Sequence, residues 1–360
     1  MGPSEWRAIG KSVQGSTHLR TQKPNQDAIA LYPDEGQGLP VIVAVADGHG
    51  SEKHFRSHIG AYLATRTAID VLREFAERLP EHVEQTMVID HLPAAIERRW
   101  KRAVDDHLVE NPVDEEMGQS AAPIGDDPTR YVPYGTTLLA VLVTAGFVVY
   151  LQVGDGDILA VSSDGTVEHV IQQDPSLIGN QTTSLCLPQA RRHFRTQFHR
   201  IAGRPPALMI LATDGYANSF EEGGFLKAGT DYLHLIRTKG IDHVDEHLEQ
   251  WLSETSQKGS GDDITIGIVA APGIDACNRE QASTAPLDKE SSSATGNVNG
   301  PGLSLVEQPA GTWLERVINS RPVARFHQRL LGFIRRTTDA TGAIRLSDRK
   351  FPRGDGRESC

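Results

Sequence analysis

The sequence has few cysteines, and it lacks any long apolar run. Its three cysteines, Cys186, Cys277 and Cys360, are an odd and scattered set in 360 residues, which excludes a disulfide framework and favours a reducing compartment. No segment approaches the roughly 18 uninterrupted apolar residues of a membrane span. The first twelve residues have no apolar core, so no signal peptide is expected. These absences predict a cytoplasmic protein without a transmembrane segment.

Positive charge is also scarce over most of the chain. The formal net charge is −11, which argues against a general nucleic-acid binder. The charge is uneven, because residues 311–360 contain 11 Lys or Arg and only 5 Asp or Glu. A hydrophobic fraction of 38% can support a core. The length predicts one large domain with an appendage.

A change of composition marks the end of that large domain, which we place at residues 1–272. Residues 273–310 are rich in Ser, Gly, Pro, Asn and Ala, so a disordered linker is expected there. In the tail at 311–360, apolar residues alternate with arginines, a pattern typical of a basic amphipathic helix. Such a tail is expected to dock on an anionic membrane surface or a partner, or to fold back on the acidic domain. A helix packed permanently on the domain is the alternative.

Hydrophobic periodicity predicts a mixed fold with more strands than helices. Strands are predicted at residues 6–14, 28–32, 41–46, 137–144, 147–153, 158–162, 208–212 and 264–270. Helices are predicted at 51–76, with Ser51 as N-cap, within 83–108, where Pro93 is expected to interrupt the helix, and at 225–239 and 244–257. Residues 111–130 are expected to form an exposed loop and residues 174–204 an irregular flap. This order fits an α+β sandwich better than a doubly wound fold.

The most informative segment is a strand that ends in a group of polar residues. Residues 41–46 are six apolar residues, and Asp47, Gly48, His49 and Gly50 follow directly. Such a run is typical of a buried strand, and its end brings a carboxylate and an imidazole to one edge of a sheet. The glycines allow a sharp turn and a close approach to a ligand.

Aspartates stand at the ends of three further predicted strands. Asp155 and Asp214 follow the strands at 147–153 and 208–212, while Asp262 and Asp263 precede the last strand. An Asp-Gly pair after a strand is a common turn. However, buried carboxylates repel one another and are costly to desolvate unless a cation lies between them. Clusters of oxygen ligands suit Mg²⁺, Mn²⁺ or Ca²⁺ better than zinc.

Six segments, in order, resemble the bacterial members of the metal-dependent protein phosphatases of type 2C (PPM). They are Arg20 with Pro-Asn-Gln-Asp at 24–27, Val-Ala-Asp-Gly-His-Gly at 45–50, Tyr-Gly-Thr-Thr at 134–137, Val-Gly-Asp at 153–155, Ala-Thr-Asp-Gly at 212–215 and Gly-Asp-Asp-Ile-Thr at 261–265. The resemblance implies a four-layer α-β-β-α sandwich with a metal site at one end. It further implies hydrolysis of phosphoserine and phosphothreonine in phosphoproteins, which would reverse the action of a cognate Ser/Thr kinase.

The resemblance also implies roles for individual residues. Two divalent cations, Mn²⁺ or Mg²⁺, would hold a bridging water that attacks the phosphoryl group. Asp47 would bridge both cations. The Gly48 carbonyl, Asp214 and Asp262 would complete their coordination. Among the remaining motif residues, Arg20 would clamp the phosphate and His49 would act as the general acid.

Four further residues are expected near the metals. Asp27 would accept a hydrogen bond from a water on a metal. Gln26 stands where the family usually has glutamate, so one metal is expected to bind less tightly. Asp263 stands where the family usually has asparagine and is expected at a turn or outside the coordination sphere. Asp155 could hold a third cation together with Asp214, although Asn218 replaces an acid that some members have.

Two alternative functions are weighed against this interpretation. Residues 186–192 have the Cys-x5-Arg spacing of thiol-dependent phosphatases, but they lack glycine, and Pro188 removes a backbone donor from the phosphate loop that such enzymes need. The other alternative is a pseudophosphatase that binds phosphoproteins, with Gln26 marking a weakened metal site. The joint presence of Asp47, His49 and Asp214 argues against that alternative.

Overall fold

The protein folds into two stacked antiparallel sheets with helices on their outer faces. The structure is a computed structural model that describes residues 5–78, 85–112, 128–172, 182–221 and 224–274. Its elements are β1 (Arg7–Val13), α1 (Ser16–Thr21), β2 (Ala28–Tyr32), β3 (Val41–Ala46), α2 (Ser57–Glu77), α3 (Gln85–Glu110), β4 (Leu138–Val143), β5 (Phe147–Val153), β6 (Asp157–Val161), β7 (Val167–His169), β8 (Arg195–Arg200), β9 (Leu208–Ala212), α4 (Asp214–Ala217), α5 (Gly224–Lys239), α6 (Ile241–Lys258) and β10 (Ile264–Ala270).

The strand order shows how the chain crosses between the two sheets. One sheet has the order β1-β10-β9-β6-β7 and the other has the order β2-β3-β4-β5-β8. Helices α5 and α6 cover the first sheet, whereas α2 and α3 cover the second. The predicted four-layer α-β-β-α sandwich is therefore confirmed.

The alternation of side chains along β3 explains why its sequence is apolar without interruption. Ile42, Ala44 and Ala46 pack beneath α2 and α3, while the three valines that alternate with them face the other sheet. Successive side chains of a strand point to opposite faces, so a strand covered on both faces needs apolar residues at every position. β4 follows the same rule, and all six of its residues are buried.

Two predictions about the helices were wrong. Ser51 does not cap α2, because a short 3₁₀ turn at Glu52–His54 comes first and α2 begins only at Ser57. Pro93 does not interrupt α3, which runs continuously through it. Tertiary packing compensates for the lost main-chain hydrogen bond. Pro93 itself is buried, and Trp100 of the same helix donates its ring N–H to the Gly60 carbonyl of α2 at 3.0 Å.

The prediction of an irregular segment at 174–204 was also partly wrong. It contains β8, an edge strand that pairs with β5 alone. The sequence of β8, Arg-Thr-Gln-Phe-His-Arg, gives no apolar signal because much of the strand faces solvent. The short edge strand β7 was missed for the same reason. Most of the predicted loop at 111–130, the linker and the tail lie outside the described residues. Within the described ranges, no helix combines the length and apolar character needed to cross a bilayer.

Candidate active site

The end of β3 is held in place by two threonines. The Asp47 backbone N–H donates to Thr137 Oγ1 at 3.0 Å, and the Thr136 hydroxyl donates to the Asp47 carbonyl at 2.9 Å. The Thr137 N–H donates to the same carbonyl at 2.8 Å. These bonds use both backbone groups of Asp47, so its carboxylate projects from a rigid backbone.

Gly48 is required at the next position because two other segments approach its backbone closely. Its N–H donates to the Gln26 carbonyl at 3.1 Å. A Cβ atom here would lie 2.6 Å from that carbonyl oxygen and 2.8 Å from the Ser57 backbone. Any side chain would therefore push apart the loop before β2 and the start of α2.

Beside this turn lies a cavity of about 950 Å³. The charged and titratable groups among its described lining residues are Asp47, Asp155, Asp214, Asp262, His49, His54, Lys53 and Cys186. Four of the five predicted strand-end aspartates, from four different segments, therefore share one cavity.

The aspartates of the cavity affect one another's protonation. Burial raises the pKa of Asp47 well above its usual value, and the charges of Asp27 and Asp214 raise it further. Burial also raises the pKa of Asp214, with contributions from Asp155 and Asp262. Carboxylates gathered in this way are stabilised when a cation enters between them.

The donor set of the cavity fits hard divalent cations. Its carboxylates are all oxygen ligands, which suits Mg²⁺ or Mn²⁺. Asp47, Asp214 and Asp262 are the residues that could hold them, with Asp155 as a further donor. Asn218 contacts this set, because its amide donates to Asp214 Oδ2 at 3.1 Å.

Two histidines lie together on one wall of the cavity. The rings of His49 and His54 meet edge to face, with centroids 4.9 Å apart. Burial lowers the pKa of His49 to about 4, and the positive charges of His54 and Lys53 act in the same direction. The His49 ring is therefore neutral at pH 7, so it can offer a leaving oxygen only the N–H of a neutral imidazole.

Gln26 and Asp27 are both buried, and neither lines the cavity. The Gln26 amide donates to Ser57 Oγ at 2.6 Å and to the His49 carbonyl at 3.3 Å, and its Oε1 is buried without a hydrogen-bond partner among the described residues. Asp27 accepts a hydrogen bond from the Thr213 hydroxyl at 2.8 Å. Burial raises the pKa of Asp27 well above its usual value, and the charge of Asp263 adds to that rise.

Asp263 lies inside the protein and does not line the cavity. Only 3% of the residue is exposed. Its carboxylate accepts hydrogen bonds from the backbone N–H groups of Gly15, at 2.6 Å, and Gln26, at 2.7 Å. Asp263 therefore fixes the segment between β1 and β2.

Arg20, the predicted phosphate clamp, does not line the cavity. It lies exposed on α1, and its guanidinium donates to Thr17 Oγ1 at 3.1 Å. Sequence reasoning instead missed Lys53, which lines the cavity. The available signal was that Lys53 lies at Glu52–His54, close behind the Asp-Gly-His-Gly motif. The sequence pattern instead predicts that this segment is part of a helix.

Cys186 lines the cavity but has the properties of a structural thiol. It lies 3.3 Å from Ser184 Oγ. Burial raises the pKa of the Cys186 thiol, although the Ser184 hydrogen bond opposes this rise. A reactive cysteine needs a lowered pKa, so the structure gives no support to thiol chemistry at this position.

Comparison with known proteins identifies the family. A family model described as protein phosphatase 2C matches residues 14–253. The chain belongs to the protein phosphatase 2C family. The matched range contains Asp47, His49, Asp155 and Asp214, while Asp262 lies beyond its end, on the loop between α6 and β10. No protein in a curated collection matches the chain significantly.

Several solved structures are similar to this phosphatase 2C chain. The Mycobacterium tuberculosis serine/threonine phosphatase PstP/Ppp is 16% identical, with 74% of this chain and 99% of that chain covered and a TM-score of 0.46. Staphylococcus aureus Stp1, a serine/threonine phosphatase, is 18% identical, with 75% and 97% covered and a TM-score of 0.47. A structure of the PstP catalytic domain in complex with two manganese ions is 16% identical, with 74% of this chain and 98% of that chain covered and a TM-score of 0.46. At such identities, likeness of fold does not determine substrate or activity.

Proposed function

We propose that the protein is a metal-dependent phosphatase that removes phosphate from phosphoserine and phosphothreonine in proteins. The observation that carries the proposal is the meeting of Asp47, Asp155, Asp214 and Asp262 in one cavity, together with membership of the protein phosphatase 2C family. Divalent cations, when bound by such carboxylates, supply charge neutralisation at the phosphoryl group and activation of water.

In this proposal the residues of the chain have separate tasks. Asp47, Asp214 and Asp262, with the Gly48 carbonyl, hold two cations, and Asp155 with Asp214 offers a third position. His49 directs its ring N–H toward the leaving oxygen of the serine or threonine. Gln26 holds the His49 carbonyl, and Asp27 holds the hydroxyl of Thr213, the neighbour of Asp214.

The physiological partners follow from the same proposal. The substrates would be phosphoproteins, and the enzyme would oppose a Ser/Thr kinase acting on them. The open cavity can admit a phosphorylated side chain. Charge neutralisation and positioning, which supply most of the catalysis of phosphate-ester hydrolysis, would act on the substrate there.

The decisive experiment measures hydrolysis of p-nitrophenyl phosphate by the full chain as Mn²⁺ or Mg²⁺ is varied. Activity should vanish with EDTA and return with either metal. Asp47→Asn and Asp214→Asn should each reduce turnover by about a hundredfold or more. Asp164→Asn, a substitution of an exposed aspartate that caps the turn before β7, is a matched control and should leave turnover unchanged.

Two further arms separate the proposal from its alternatives. Cys186→Ser should retain activity, whereas a thiol-dependent phosphatase would lose it. A pseudophosphatase would bind phosphoserine peptides but turn over no ester at any metal concentration. Metal-independent turnover, or turnover that depends on Cys186, would refute the proposal.

A further inference from the structure

The cavity combines many negative charges with a single lysine. Among the described residues that line it, Lys53 is the only lysine or arginine, whereas four of them are aspartates. Lys53 itself is exposed, and the described residues give it no ion-pair or hydrogen-bond partner. A lysine at the wall of an acidic cavity, without a carboxylate paired to it, is available to an anion.

The backbone beneath Lys53 is held firmly. The His54 N–H donates to the Ser51 carbonyl at 2.9 Å, which closes the 3₁₀ turn. The buried His54 ring contacts the Val132 carbonyl through Nδ1. Lys53 therefore stands on a fixed turn that begins directly after Gly50, at the same end of β3 as Asp47 and His49.

Charge balance shows why such a cation is needed. Four ionised aspartates and two divalent cations would cancel, but a phosphate monoester brings a further charge of about −1.5 to −2 at neutral pH. Ammonium groups hold phosphate oxygens through charge-assisted hydrogen bonds. The positive charge of Lys53 acts on other groups that line the cavity. Although burial is the main influence on the pKa values of His54 and Cys186, the Lys53 ammonium lowers both.

We propose that Lys53 binds the phosphoryl oxygens of the substrate, in the role that the sequence motif assigns to Arg20. This inference rests on the proposed function. Two other positively charged side chains near the site have other hydrogen-bond partners. Arg20 contacts Thr17 on α1, and Lys23 donates to the Gly50 carbonyl at 3.4 Å. Neither is among the residues that line the cavity.

The test measures binding of inorganic phosphate to the Mg²⁺-loaded full chain by calorimetry, which requires no turnover. Lys53→Ala should weaken phosphate binding at least tenfold, and Lys53→Arg should remain within about threefold of the wild type. Arg20→Ala and Lys23→Ala serve as matched controls and should stay within about twofold. Thermal melting of each variant reports whether the fold is retained.

The KM and kcat for p-nitrophenyl phosphate provide the second measurement. Lys53→Ala should raise KM or lower kcat/KM by a similar factor. The inference is overturned if Lys53→Ala binds phosphate like the wild type, if Arg20→Ala is the variant that loses binding, or if the wild type binds no phosphate. If the wild type binds phosphate through Lys53 but hydrolyses no ester, the proposed function fails and this inference stands. If the wild type hydrolyses the ester and Lys53→Ala is unaffected, only this inference fails.

Discussion

The buried carboxylate of Asp263 lies 2.8 Å from Nδ1 of the His18 ring. This contact joins the residue directly before β10 to α1, which are 245 positions apart in the sequence. The same carboxylate also holds the backbone N–H groups of Gly15 and Gln26. One aspartate thus ties the last strand of the sandwich to the loop that supports the cavity.

Replacing Asp263 by asparagine should destabilise the protein. Both carboxylate oxygens accept N–H groups, and an amide would place a donor against one of them, leaving a buried group unsatisfied. We expect Asp263→Asn to reduce the free energy of unfolding by about 1–3 kcal/mol in urea denaturation. Asp164→Asn, at an exposed turn, is the control. Equal stability of Asp263→Asn and wild type would show that the segment around Gly15 is held by other contacts.

Repulsion among the clustered aspartates should lower the stability of the metal-free protein. Burial and neighbouring charges raise the pKa values of Asp47 and Asp214, so their ionised forms oppose folding at pH 7. Asp214→Asn should therefore raise the melting temperature in EDTA while reducing the increase that Mn²⁺ produces. Calorimetric melting with and without Mn²⁺ measures both effects. A lower melting temperature in EDTA would contradict this account of the site.

Gln26→Glu tests the position at which this chain departs most clearly from the family pattern. From the sequence alone, a carboxylate at this position should tighten metal binding. In the structure, however, the Gln26 amide donates to Ser57 Oγ and to the His49 carbonyl. A glutamate would set an acceptor against that carbonyl, so we expect the Mn²⁺ midpoint of activity not to fall, and the melting temperature to decrease. A clearly lower Mn²⁺ midpoint would instead place residue 26 among the metal ligands.

Strands buried on both faces were the part of the fold that could be predicted from the sequence. β3, β4, β5, β9 and β10 are buried along their whole length, so their apolar runs are unambiguous. The edge strand β8 has one apolar residue, Phe198, among its six. Its pairing with β5 depends on tertiary contacts that the periodicity of the sequence does not show. The same is true of α3, where packing overrides the expected effect of Pro93.

The candidate site divides in a similar way. The aspartates could be predicted because strand ends at one side of a sandwich must converge, whatever the details of the loops. The positively charged side chains could not be assigned in this way. The position of Arg20 depends on the turn of α1, and that of Lys53 on the 3₁₀ turn at Glu52–His54. Neither turn has a periodic signal in the sequence.

His54 should contribute to acid sensitivity. Burial lowers its pKa below the usual 6.5, although its contact with the Val132 carbonyl opposes this shift. The unfolded chain then binds more protons than the folded one as pH falls below about 6.5. Stability contributed by the neutral ring is thus present above that pH and is lost below it.

His54→Asn should reduce this pH dependence, because asparagine does not titrate and its amide can replace Nδ1 at the Val132 carbonyl. Unfolding in urea at pH 7.5 and pH 5.5 measures the effect for both proteins. Between these pH values the wild type should lose more stability than the variant. His234→Asn, at an exposed position on α5, should behave like the wild type. An equal loss in the wild type and His54→Asn would contradict the prediction.

Truncation should separate the sandwich from the rest of the chain. β10 closes its sheet between β1 and β9, and Ile274 after it packs into the core beneath α5 and α6. A chain ending at residue 274 should therefore retain the wild-type melting temperature and turnover of p-nitrophenyl phosphate. A chain ending at residue 260 lacks β10 and should not fold cooperatively. An insoluble or inactive 1–274 variant would favour a tail packed permanently on the domain.

The pairing of β1 with β10, with Arg7 opposite Ala270, has a consequence for biosynthesis. β1 has no neighbour within its sheet until almost the whole sandwich has been translated. Asp262, which lines the acidic cavity, comes shortly before β10, so the cavity cannot be complete any earlier. A chain that ends before Asp262 therefore has an unpaired β1 and a cavity that lacks one of its four aspartates.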